Sequence, residues 1–230
     1  MNQRATTGII LHRTNYGEAD RIVTILTPDM GKLHLLARGV RKIKAKLAGG
    51  TELFSISSIT FIQGRGDLGT LISARLEEHF NQIAKDIDRT MLGYDLIKML
   101  DHITEDEADK AWFELLKNML ESLNDSKIDL NIVRFWFQAH ILLISGYSPN
   151  LEKDNESNAL KKDKRYQFDI ATMSFIESKS GTVLADQIKF MRLGFSNNAP
   201  STLQRVSGAK ELSDDCSRML VGVLKVSLGV

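Results

Sequence analysis

The chain has 230 residues, 43% of them hydrophobic and 26% charged, with a formal net charge of +1. Such a composition excludes a disordered chain, and no apolar run reaches the ~18 residues that a membrane span requires. A lone cysteine, Cys216, excludes an internal disulfide and cysteine-rich zinc sites, and the first residues lack the apolar core of a secretory signal, which together fit a reducing cytoplasm.

Charge is unevenly placed along the chain. Residues 1–80 hold 11 Lys and Arg against 7 Asp and Glu, whereas residues 81–146 hold 7 against 12. Within the basic part, the stretch from Lys32 to Lys46 contains Lys32, Arg38, Arg41, Lys42, Lys44 and Lys46 and no acidic residue. Clustered like charges repel one another, and a polyanion that binds them is rewarded by counterion release. The bland alternative is a solvated loop that only aids solubility.

In chain order, Thr6–His12 reads as a short strand, and Arg21–Thr27 as a second, rich in residues that suit a pleated surface. Thr27-Pro28-Asp29-Met30-Gly31 is a turn that leads into a third strand from Lys32, so the two form a hairpin. After the basic stretch and a flexible Gly49-Gly50 pair, Phe54, Ile56, Ile59 and Phe61 mark a fourth strand, with a slip at Ser57-Ser58 that predicts a bulge. Gly64-Arg65-Gly66-Asp67 turns the chain into a fifth strand through Leu71, Ile72 and Leu76. Five short strands in about eighty residues suit an oligonucleotide-binding (OB) barrel, with an SH3-like barrel as the alternative.

From about Asp86 the pattern becomes helical. Thr104-Glu105-Asp106-Glu107 has the form of a capping box that opens a second helix. Residues 129–145 are apolar around nearly the whole circumference, which predicts a buried central helix ended by Gly146. An exposed loop over 151–165, two short strands or irregular structure around Tyr166–Ile170 and Met173–Ile176, and helices near 183–194 and 212–228 complete the chain. The fold class is therefore α+β. An OB barrel over residues 1–80 precedes a mainly α-helical domain over 81–230, with a short irregular or β insertion near 150–180.

Several residues resemble a known family. Tyr16-Gly17-Glu18-Ala19-Asp20-Arg21, Thr27-Pro28-Asp29-Met30-Gly31 and Ala37-Arg38-Gly39-Val40-Arg41 resemble the start of the bacterial DNA repair protein RecO family. Gly66-Asp67-Leu68, Gly146-Tyr147-Ser148-Pro149-Asn150-Leu151 and Ser227-Leu228-Gly229 extend the resemblance, which is dense only over the first eighty residues. It implies a recombination mediator that binds single- and double-stranded DNA, anneals complementary strands, and helps RecA replace the single-strand binding protein. The implied partners are RecR, the acidic C-terminal tail of that single-strand binding protein, and RecF and RecA. Many members place zinc-binding cysteines after the position of Leu151. This chain has Glu152-Lys153-Asp154-Asn155-Glu156-Ser157 there, so no zinc is expected, and Tyr166, Phe168, Met173 and Phe175 are left to hold the local fold. The chain also stops at Val230, short of the basic tail that some relatives carry.

The candidate DNA-binding residues are Arg13, Lys32, Arg38, Arg41, Lys42, Lys44, Lys46 and Arg65, with Tyr16 as the one exposed stacking candidate. Arg21 is as well placed to pair with Glu18 or Asp20 as to reach DNA. No enzyme is expected: the five histidines are scattered without metal spacing, no phosphate-loop motif exists, and Cys216 lies on an apolar helical face. No cofactor is implied. A general single-stranded nucleic-acid module, for RNA, is the alternative function.

Overall fold

The computed structural model describes residues 3–43, 45, 47–64, 66–106 and 109–230. The chain forms two compact units, residues 1–124 and 125–230.

The first unit is built on five strands: β1 Gln3–Tyr16, β2 Asp20–Leu26, β3 Lys32–Ala37, β4 Ser55–Ile62 and β5 Leu68–His79. They close into a barrel in the order β1-β2-β3-β5-β4, with β3 and β5 parallel and every other pair antiparallel. Strand β1 extends beyond its predicted span at both ends because it serves two neighbours. Its first half pairs with β4 and its second half with β2. A register shift between Ile10 and His12 marks the changeover. The barrel is filled by Ile10, Val23, Ile25, Leu35, Ala37, Ile59, Phe61, Leu71 and Ala74, alternate residues that the pleat turns inward.

The β2–β3 hairpin forms as the turn sequence predicts. Thr27 N and Thr27 Oγ1 both donate to Gly31 O at 2.9 Å, and Gly31 takes φ +63°. The bulge expected at Ser57-Ser58 falls one step earlier, between Ile56 and Ser57, and the extra residue is Glu77 on the partner strand β5. The Gly49-Gly50 pair is not a free hinge. It lies in a 3-10 turn over Gly49–Thr51, and a Cβ on Gly50 would fall 2.3 Å from Ala74 O, so only glycine lets the chain press against β5 here.

Helix α1, Ile87–Ile103, starts at Asp86, whose carboxylate accepts from Asp88 N and Arg89 N. Glu107, the far member of the capping box expected at Thr104, lies outside the described residues. Thr104 ends α1, its hydroxyl donating to Leu100 O at 2.8 Å, one turn back. Helix α2, Lys110–Asn124, begins later, with Asp109 Oδ1 accepting from Ala111 N. Phe54, at φ +55°, holds α1 against the strands: its ring lies edge-on to Tyr94 at 5.1 Å and would leave a Cβ on Gly93 only 2.8 Å of room.

In the second unit, α3 (Leu130–Ile144) is the buried centre, as its all-round apolar pattern predicts. Gly146 follows it at φ +80°. Helices α4 (Ala185–Gly194), α5 (Pro200–Leu203) and α6 (Ala209–Leu228) pack around α3. Two short antiparallel strands, β6 Tyr166–Asp169 and β7 Ser174–Glu177, stand beside a loop. Tyr166 and Phe175 are buried in edge-on contact, with Phe168 against Phe175, while Met173 contributes its carbonyl to Asn150 N. The sequence did not single out Asp154. Its buried carboxylate accepts from Glu156 N at 3.0 Å and Asn158 N at 2.8 Å, tying the 152–158 loop.

His140 in α3 lies tilted against Trp136 with ring centroids 4.3 Å apart, and burial holds its imidazole below its usual pKa. The unfolded chain therefore binds the proton more readily, so stability present above about pH 6.5 is lost as the pH falls. The melting temperature should drop between pH 7.5 and 5.5, and His140→Gln should flatten that drop; an unchanged slope would show that His140 is not its source.

Candidate nucleic-acid interface

The basic turn follows directly from β3. Two hydrogen bonds from its backbone and one from a side chain hold it to the β1–β2 connection. Gly39 N donates to Asp20 Oδ1 at 2.7 Å, Arg41 N to Ala19 O at 3.0 Å, and Arg41 Nη1 to Gly17 O at 3.1 Å. Gly39 and Gly17 take φ +64° and +57°, a conformation that side chains with a Cβ rarely adopt. Val40, 4% exposed, plugs the end of the barrel core from within the turn. Arg38, Arg41 and Lys42 are consequently exposed on a fixed backbone, and none forms an ion pair among the described residues. Ile43 stands fully exposed beside them, and Tyr16, 54% exposed, stands at the facing turn.

The other predicted cations fall elsewhere. Lys32 is turned to α1: its Nζ donates to Asp101 Oδ1 at 3.0 Å and to Asp101 O at 2.8 Å, with its side chain only 8% exposed. Arg13 donates to Glu52 at 2.8 Å and to Thr51 O. Lys44, Lys46 and Arg65 lie outside the described residues. Arg21 makes no ion pair with Glu18 or Asp20. Its Nε donates to Asn15 Oδ1 at 3.1 Å, because Asp20 is engaged by Gly39 N.

The structure thus brings together Arg38, Arg41 and Lys42 and assigns Lys32 and Arg13 to internal pairs. Sequence reasoning missed Asp20 and Val40 as the footing of the turn. The signal was present in Gly17 and Gly39, which flag two tight turns that have to meet.

Chemically the surface offers fixed cations and no nucleophile. Burial, aided by Asp215, pushes the Cys216 thiol well above its usual range, so no thiolate forms there. Among the described residues no group of three or more His, Cys, Asp or Glu is placed to hold a metal ion, and no helix is long and apolar enough to cross a membrane.

Comparison with known proteins places these features. Two family models match, Recombination protein O N terminal over residues 1–80 and Recombination protein O C terminal over residues 84–229. The chain belongs to the RecO family. A DNA repair protein RecO from Dehalococcoides mccartyi is 29% identical over 204 residues, which is 87% of this chain and 77% of that protein. One from Syntrophus aciditrophicus is 35% identical over 177 residues, 74% of this chain and 68% of that protein. Another, from Desulfatibacillum aliphaticivorans, is 36% identical over 151 residues. RecO membership gives the chain a role in DNA repair and recombination. The N-terminal RecO match ends at residue 80, whereas the first compact unit runs on to Asn124 and includes α1 and α2.

Proposed function

We propose that this RecO protein binds the sugar–phosphate backbone of single- and double-stranded DNA through Arg38, Arg41 and Lys42 and anneals complementary strands without covalent chemistry. The observation that carries the reading is the stapled turn itself: three exposed cations, without ion pairs among the described residues, on a backbone fixed by Asp20 and Val40. Lys44, Lys46 and Arg65, outside the described residues, stay candidates on the sequence alone. The barrel order 1-2-3-5-4 with parallel β3 and β5 supports the OB-fold assignment, an architecture that binds single strands on one face and its loops.

Holding two strands on one cationic surface lowers their repulsion and raises their local concentration, while base pairing supplies specificity. Phosphate contacts carry no base information, so binding should tolerate most sequences. In the cell the protein acts with RecR, and with RecF where present, to help RecA load onto strands coated by the single-strand binding protein, whose acidic tail it recognises.

Fluorescence anisotropy with a labelled single strand, titrated with salt, tests the binding. The logarithm of affinity should fall with the logarithm of salt by about 0.7 for each phosphate contact. An annealing assay on strands coated with single-strand binding protein separates a mediator from a generic DNA or RNA binder. Absence of binding at low salt rejects the reading outright.

A further inference from the structure

A cavity of about 640 Å³ opens between the barrel and α1, within the first unit. Leu11, Leu53 and Ile97 form its apolar floor, and Tyr94, Arg21 and Lys98 stand on its walls. This combination of an apolar bed with few polar groups is typical of ligand sites, and the volume suffices for a nucleotide. Tyr94 is 45% exposed, yet its ring is fixed by the edge-on contact with Phe54, so a flat ligand would meet a preset surface. Two other charged groups on the wall are already neutralised, Arg13 by Glu52 and Asp101 by Lys32. That leaves Arg21 and Lys98 as cations without ion pairs among the described residues, and Asp95 as the opposing carboxylate.

The cavity borders the strand pair that leads into the basic turn. Arg21 pairs in register with Asn15 on one side and with Ala37 on the other, so one strand spacing, about 4.8 Å, separates it from the residue that precedes Arg38. A strand held at the basic turn would have only to extend along β2 to set a phosphate on Arg21, and the adjoining base would then lie at the cavity that Tyr94 lines. On the α1 side the charge of Asp95 offsets that of Lys98, which leaves Arg21 to take the phosphate and Tyr94 to meet the base.

We infer that this cavity is a nucleobase subsite, in which Tyr94 stacks on one base of a bound single strand and Arg21 holds the adjoining phosphate. The inference rests on the DNA-binding reading above and adds to it a preference for strands with unpaired bases.

Anisotropy on the full chain tests it with two labelled strands of equal length, one all thymidine and one abasic, which carry the same phosphates. The thymidine strand should bind about tenfold more tightly. Tyr94→Ala should remove that difference with the salt slope unchanged, and Tyr94→Trp should keep it. Because Tyr94 leans on Phe54, Arg21→Met serves as a second variant that leaves this contact alone. It should lower the salt slope by about 0.7, one phosphate's worth.

Equal affinity of the wild type for the two strands, or a preference that survives Tyr94→Ala, overturns the subsite and leaves electrostatic capture standing. Loss of binding to both strands at low salt overturns capture and subsite together. If an acidic apolar peptide binds, and Tyr94→Ala weakens the peptide but not the strand preference, the occupant is a peptide and the inference fails.

Discussion

Reversing Arg38, Arg41 and Lys42 together to glutamate should weaken single-strand binding by about 100-fold at 0.1 M salt. It should also lower the salt slope by roughly 2, as three lost phosphate contacts require. The fold should survive, because the turn is held by backbone groups, by Asp20 and by Val40. The Arg41 side chain contributes only one exposed hydrogen bond, to Gly17 O. Circular dichroism melting, run beside anisotropy, separates loss of charge from loss of structure. An unchanged affinity for DNA in a folded triple variant would sink the assignment of this turn as the phosphate contact.

A second large effect is expected at Asp101, the residue that ties α1 to the barrel. Its carboxylate meets Lys32 at 3.0 Å and His12 at 2.8 Å, and the Lys32 ammonium has little water around it. Asp101→Ala leaves that ammonium without its counter-charge, a loss of about 3 kcal/mol for a pair so placed. The melting temperature should fall by roughly 6–12 °C. Lys32→Met should cost much less, since it removes the buried charge itself and fills the space with apolar atoms. The same variant should leave the salt slope for DNA unchanged, because Lys32 is engaged inside the unit. A slope lowered by one phosphate contact would mean that Lys32 leaves Asp101 to meet DNA.

How much of this was readable in the sequence depends on how local each cause is. The β2–β3 hairpin was legible because Thr27, Pro28 and Gly31 encode it within five residues. The buried α3 was legible because its apolar residues leave no face for water. The start of α2 was less legible, since a Thr-x-x-Glu pattern at Thr104 does not show that its hydroxyl donates back to Leu100 O or that the helix begins only at Lys110. The basic stretch was visible as a run of charge, but its division was not. Lys32 lies opposite Asp101 across a gap of 69 residues, a long-range pairing with no local mark. Asp20 was read as a possible ion partner for Arg21, whereas tertiary closure gives it the Gly39 amide. Tyr94 escaped notice because it sits in a helix whose buried face drew the eye, and its setting arises only once Phe54 turns beneath it.

The anchoring of the 38–42 segment has a thermodynamic consequence. A recognition loop that must first be tamed from many shapes surrenders part of its contact energy to ordering, and one already set by its neighbours does not. Replacing Val40 with alanine would therefore tax DNA affinity without removing a single positive charge, because the cations would have to be gathered anew at each encounter.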